Sequence, residues 1–255
     1  MYKLLEKVIL LKQIFIFLFI ICINRDIEFH NFFDQLYLVG VSSLSITMIT
    51  AFFISLVFSF QIIKEFLYLN AVDLIGSILS MSFIRELSPV LTAVIFIGKV
   101  GAFFTSELAT MSVTEQIDAL FILGINPIKH LIAPRVLSVI LMLPLLNLFF
   151  ILTSLISSCF FCFLLYSINP IFFFRSVLYD SFYFDLSKSL FKTIIFALSI
   201  SLISCIWGIT TSGGAQGVGL STTASVVISL ISIFVVNFFL SYFMFNSSIS
   251  SFQVL

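Results

Sequence analysis

Long apolar runs alternate with short polar clusters along the chain. Val39–Phe60 reads as a first membrane-spanning helix, since a span needs ~20 mostly apolar residues. Gln61–Asp73, with Lys64, Glu65 and Asp73, marks its boundary. Val72–Leu108 is apolar but interrupted by Arg85, Glu86 and Pro89. A second span is therefore placed at Pro89–Leu108, with Ser88 as N-cap and Pro89 in the first helical position. A shorter helix precedes it across a kink. Leu131–Tyr166 is too long for one straight span, so Pro134 and Pro144 are expected to kink it and its start to lie in the interface. A loop from Ser167 to Lys188 carries Arg175, Asp180, Asp185 and Lys188. Ser189–Thr211 forms a fourth span and Ser221–Phe245 a fifth, capped by Ser221 or Thr222. At the other end, Tyr2–Ile23 sets Lys3, Glu6, Lys7 and Gln13 near one helical face, and its purely apolar part, Ile14–Ile23, is too short to cross. That pattern fits a helix lying in the membrane interface.

Composition agrees with this reading. Of 255 residues, 61% are hydrophobic and 9% charged, against about 25% charged in soluble domains. Mean hydropathy is +1.25. The runs are continuous rather than alternating, which excludes a membrane β-barrel. The expected fold is an all-α integral membrane protein in one domain. Residues 1–35 form an interfacial N-terminal segment, 36–246 the transmembrane core and 247–255 a tail. Net charge is zero, so nothing points to nucleic acid. No formal charge follows Lys192. Six basic residues in the N-terminal segment and central loop (Lys3, Lys7, Lys12, Arg25, Lys129, Arg135) face four on the other side (Lys64, Arg85, Arg175, Lys188). That excess puts the first group on the cytosolic side. Cys159 and Cys162 form a C-x-x-C inside an apolar helix with no further metal ligands nearby, so they read as small buried hydrophobes and no metal is expected.

The stretch TEQIDALFILGINPIKHL, Thr114–Leu131, departs from its surroundings. Ser112-Val113-Thr114-Glu115 fits a capping box. Val113, Ile117, Leu120 and Phe121 make one apolar stripe, with Glu115 and Asp118 off it. Gly124 suits a left-handed C′ position, and Asn126-Pro127 restarts a helix. The segment predicts a helix of about three turns, ~15 Å long, which cannot cross a membrane. It is either an ordinary interfacial connector or a docking element for a soluble partner.

Ile84–Leu146 carries REL-P-LTA, G-VG, EL-TM-VTEQIDAL, G-NPI--L--PR and MLPLL in order, and TSGGAQGVGLSTTASVV follows at Thr211–Val227. These motifs resemble the MlaE family of ABC-transporter permeases, over about Leu36–Phe245, with plastid-encoded or cyanobacterial members as the nearest kin. The resemblance implies a permease that moves phospholipid-like molecules, works as a homodimer, and pairs with a separate cytosolic or stromal ATPase and an MCE-domain substrate-binding protein. The compartment it implies is a chloroplast envelope or a bacterial inner membrane. It casts the central helix as the coupling helix that docks the ATPase, through Glu115, Gln116, Ile117, Asp118, Leu120 and Gly124. It also implies a lipid path in a dimer-interface cavity formed largely by the second and fifth spans.

Candidates for that path are Arg85, Glu86, Lys99, Glu107, Lys192 and Asn237. Charged groups at membrane depth cost ~2.5–3.5 kcal/mol on insertion scales, so they take partners or face a cavity. Arg85 and Glu86 either snorkel to the interface or line the path. Lys99 lies beside Gly98 and Gly101, ~15 Å into the second span. Glu107, a possible partner for it, is too far along one helix for direct contact. Lys192 enters the fourth span, where the family often has a basic residue. Asn237 stands where relatives often carry Asp, so a charge pair there does not carry over.

The glycine-rich Gly213–Gly219 lacks the Lys of a P-loop and reads as a flexible turn. His30 and His130 sit in polar segments, and no catalytic constellation is visible. The chain is therefore expected to be neither an enzyme nor dependent on a cofactor, with ATP hydrolysis in a partner. Two alternatives remain: an ion-coupled secondary carrier using Arg85, Glu86, Lys99 and Lys192, and a non-transporting membrane scaffold.

Overall fold

The computed structural model describes residues 29–69, 71–178 and 182–245. Most of the expected interfacial N-terminal segment, the 247–255 tail and Cys22 fall outside these residues. Seven helical elements run in order: α1 (Phe29–Tyr68), α2 (Val72–Val113), α3 (Gln116–Ile122), α4 (Ile128–Tyr166), α5 (Pro170–Val177), α6 (Phe182–Ile209) and α7 (Gly214–Phe245). There is no strand among the described residues. α1, α2, α4, α6 and α7 are long and apolar enough to cross a membrane. The chain is an all-α, multi-pass membrane protein.

Every span is longer than its apolar pattern predicts. α1 takes in residues 29–35 and continues through Lys64 and Glu65, since no proline and only one glycine, Gly40, occur along it. α2 is a single helix. Ser88 is not a cap, for it sits fully buried at φ −65°, ψ −48° within the helix. Pro89 is tolerated because the preceding turn, Phe83–Leu87, is a π-turn, where the hydrogen-bond ladder has already shifted. A second π-turn, Ile97–Gly101, holds Lys99, and a third, Ile128–Ile132, opens α4 just before Pro134. Pro144 lies inside α4.

The expected Ser167–Lys188 loop is mostly helical. Asn169 caps α5 by accepting from the Ile171 N–H at 3.0 Å, with Pro170 next. α6 begins at Phe182, so Asp185 and Lys188 are helix residues. The turn before α7 is confined to Thr210–Gly213, where Gly213 and then Gly214 take φ +100° and +70°, a conformation that costs a glycine little. Gly217 and Gly219 are helical, and Ser221 and Thr222 are not caps: their hydroxyls bond back to Val218 O within α7.

The described residues fall into two compact units, and each long helix contributes to both. One unit holds the chain up to Ser43, Ala93–Leu143 and Ile194–Val236. Its core includes Leu108, Ile132, Val136, Cys205 and Ile206. The other holds Leu44–Thr92, Pro144–Thr193 and the chain from Asn237. Its core includes Ile63, Leu79, Phe83, Ile151, Cys159, Cys162 and Phe173. In that second unit Gly76 lets α5 approach α2 so closely that any Cβ there would meet Ser176 and the Phe173 carbonyl.

Candidate functional site

Proline in a helix leaves the carbonyl four residues back without its usual donor. For Pro89 that carbonyl belongs to Arg85. Lys192 Nζ donates to it at 3.1 Å. The same ammonium donates to Glu86 Oε2 at 3.2 Å and Oε1 at 3.3 Å, and to Ser241 Oγ at 2.8 Å. These acceptors use the three N–H groups of a lysine. Ser241 in turn donates to Glu86 Oε1 at 2.7 Å, and Asn237 Nδ2 to Oε2 at 3.1 Å. Three helices, α2, α6 and α7, thus meet on one carboxylate. Lys192 is 0% exposed while the Glu86 side chain is 46% exposed, so Glu86 is the member that faces outward.

Arg85 turns the other way. Its guanidinium pairs with Asp185 at 2.8 Å, and Asp185 is buried. A buried pair of this kind is costly to break because the remaining charge is left without compensation. Both pairs are neutral overall.

The remaining path candidates separate. Glu107 does not partner Lys99; it pairs with Arg135 on α4 at 2.9 Å. Arg135 is buried and stacks over Phe104, 5.5 Å from the ring centroid. Lys99 is half-buried and donates to the Ser42 carbonyl. A side chain added at Gly98 would meet open space. Arg85, Arg135 and Lys188 are therefore helix residues with partners, the last donating to Met244 O at 2.7 Å.

The surface helix differs from its prediction in three ways. It has seven residues, about two turns. The capping box does not form: Glu115 is left-handed at φ 60° and caps nothing. The Ser112 hydroxyl bonds instead to Ile209 O at 3.0 Å and Thr211 O at 3.2 Å. The apolar stripe is incomplete, since Ile117 is buried but Phe121, Ile122 and Leu123 are exposed. Glu115, Gln116 and Asp118 are exposed and Leu120 half-buried. Gly124, at φ +76°, closes the helix in a Schellman motif, with Ile125 N–H to Leu120 O and Gly124 N–H to Phe121 O, both 3.0 Å. Asn126 Oδ1 accepts from the Ile128 N–H at 3.0 Å and starts α4.

A family model described as Permease MlaE matches residues 32–243. The chain belongs to the MlaE permease family. A probable ABC transporter permease protein of Pyropia yezoensis is 50% identical over 222 residues, 87% of this chain and 84% of the relative. One from Synechocystis sp. is 43% identical over 96% of this chain and 92% of its own length. The chloroplastic protein TRIGALACTOSYLDIACYLGLYCEROL 1 of Arabidopsis thaliana is 39% identical over 89% of this chain and 65% of its own length. This MlaE permease is thus an ABC transporter permease subunit.

Sequence reasoning found Glu86, Lys192 and Asn237 but missed Ser241 and Asp185. Ser241 lies four residues from Asn237, on the same helical face, and that spacing was a usable signal. Asp185 was assigned to a loop, which hid its register with Lys188 and Lys192.

Proposed function

We propose that this permease moves phospholipid-like molecules between membranes as a homodimer, driven by a separate ATPase and exchanging lipid with an MCE-domain protein. The observation that carries the proposal is α3. It is a seven-residue helix between two long spans, presenting the Glu115, Gln116 and Asp118 side chains together with an exposed apolar tip, Phe121–Leu123. A polar rim around apolar anchors is the anatomy of a protein interface. ATP hydrolysis belongs to the partner. The name of the Arabidopsis relative, which contains a glycolipid and the word chloroplastic, supports a lipid cargo and a chloroplast; the envelope is the membrane proposed there, and a bacterial inner membrane is the other setting. The whole chain acts as one permease domain, and Glu86 and Lys99 are its path-facing charges.

An ion-coupled carrier would need Arg85, Glu86, Lys99 and Lys192 to exchange partners during transport. Lys192 is fully buried and its donors are all engaged, which weighs against that reading. The test is purification in mild detergent with mass spectrometry of what accompanies the chain. A stoichiometric ATPase together with an MCE-domain protein supports the transporter. A homo-oligomer without ATPase in several detergents would refute it.

A further inference from the structure

Ser112 stands where α2 ends and the surface helix begins. Its main-chain carbonyl accepts from the Glu115 N–H at 3.2 Å, at the entry to α3. Its hydroxyl reaches across to α6, shared between Ile209 O and Thr211 O. Carbonyls at a helix C-terminus lack intrahelical donors; Thr211 serves those of Trp207 and Gly208, and the Ser112 hydroxyl serves that of the last residue, Ile209. Thr211 also belongs to the turn into α7, so a single residue touches the base of α3, the end of α6 and the turn that follows.

The contact is the last rung of a close seam between α2 and α6. Thr105 Oγ1 lies 3.2 Å from Ser204 O and 2.8 Å from Ser225 Oγ on α7. Gly208 packs so tightly that an added Cβ would come within 2.6 Å of Leu108 Cβ. Packed small residues and interhelical hydroxyl bonds hold membrane helices together. A seam of this kind moves as a unit, because close-packed interfaces do not deform continuously.

We infer that Ser112 is the positioning residue through which displacement of the surface helix is passed to α6 and α7. The inference rests on the proposed docking of an ATPase at α3. It is a role for the serine hydroxyl, distinct from the capping function its sequence context predicts.

The test compares wild type, Ser112→Ala and Ser112→Thr, each co-expressed with the ATPase and reconstituted in lipid vesicles. Three quantities are read: ATPase co-purification, ATP hydrolysis, and lipid moved per ATP. Ser112→Ala is expected to retain bound, hydrolysing ATPase while moving about fivefold less lipid per ATP, the equivalent of one ~1 kcal/mol hydrogen bond. Ser112→Thr, which keeps the hydroxyl, restores the ratio. Gly208→Ala, which presses the same seam apart from α6, lowers the ratio likewise. A wild-type ratio in Ser112→Ala, or no rescue by threonine, would overturn the inference while leaving docking intact. Wild-type chain that carries no ATPase at all would overturn the transporter reading and this inference with it.

Discussion

Lys192 on α6 donates to the main-chain carbonyl of Arg85 on α2 at 3.1 Å, and Pro89 explains why that carbonyl is open to it. Pro89, four residues on, has no N–H to offer that carbonyl in an α-helical register. A buried ammonium needs every donor satisfied, and the helix supplies one acceptor from its own interrupted ladder. Glu86, one residue on, supplies the countercharge.

The two members of this pair differ in exposure, so their removal should differ in cost. Glu86→Leu strands a fully buried ammonium and is expected to cost ~3–5 kcal/mol. Lys192→Met leaves a half-exposed carboxylate that keeps Asn237 and Ser241 as donors, and should cost roughly 1–3 kcal/mol. The double variant is expected to be more stable than Glu86→Leu alone, because no charge remains unpaired. Thermal unfolding of the purified protein in detergent checks the order; Lys192→Met as the worst of the three would refute it.

Replacing Glu107 should cost more stability than replacing Lys99. Glu107→Leu leaves Arg135 buried without its carboxylate, and is expected to lose ~3–5 kcal/mol. Lys99→Met gives up one bond from a half-buried group and should stay within about 1.5 kcal/mol. Under the proposed lipid path, Lys99→Met should nonetheless lower lipid transfer. Wild-type flux in Lys99→Met would return it to a purely structural role.

The left-handed Glu115 separates stability from docking. Glycine there relieves a strain of ~1–2 kcal/mol, so Glu115→Gly is expected to raise the melting temperature slightly. Glu115→Lys with Asp118→Lys leaves insertion intact but reverses the charge of the exposed rim, and less ATPase should accompany the chain. Unchanged co-purification of ATPase with the double variant would refute docking through this rim.

Gly76 is the contact point of α5. Gly76→Val would press against Ser176 and the Phe173 carbonyl, and overpacking of this kind costs ~1–3 kcal/mol. α5 is expected to separate from α2, seen as faster proteolysis or labelling within Pro170–Val177. Unaltered protection would show that the seam can yield.

Sequence alone determined the all-α class, the five spans, the helix between α2 and α4, the Gly124 terminus and the family. These rest on local signals: hydropathy over ~20 residues, glycine at positive φ, and ordered motifs. It misplaced the ends, putting Ser88 and Ser221 at caps and Asp185 in a loop, because a helix in lipid continues wherever its own backbone bonds can close. Only the tertiary structure decided which charges meet. Arg85 and Glu86 are sequence neighbours, yet one pairs with Asp185 and the other with Lys192. Glu107 chose Arg135 over the Lys99 of its own helix. Such choices depend on which faces neighbouring helices present. A π-turn alters that phase by one residue without leaving any mark in the hydrophobic pattern.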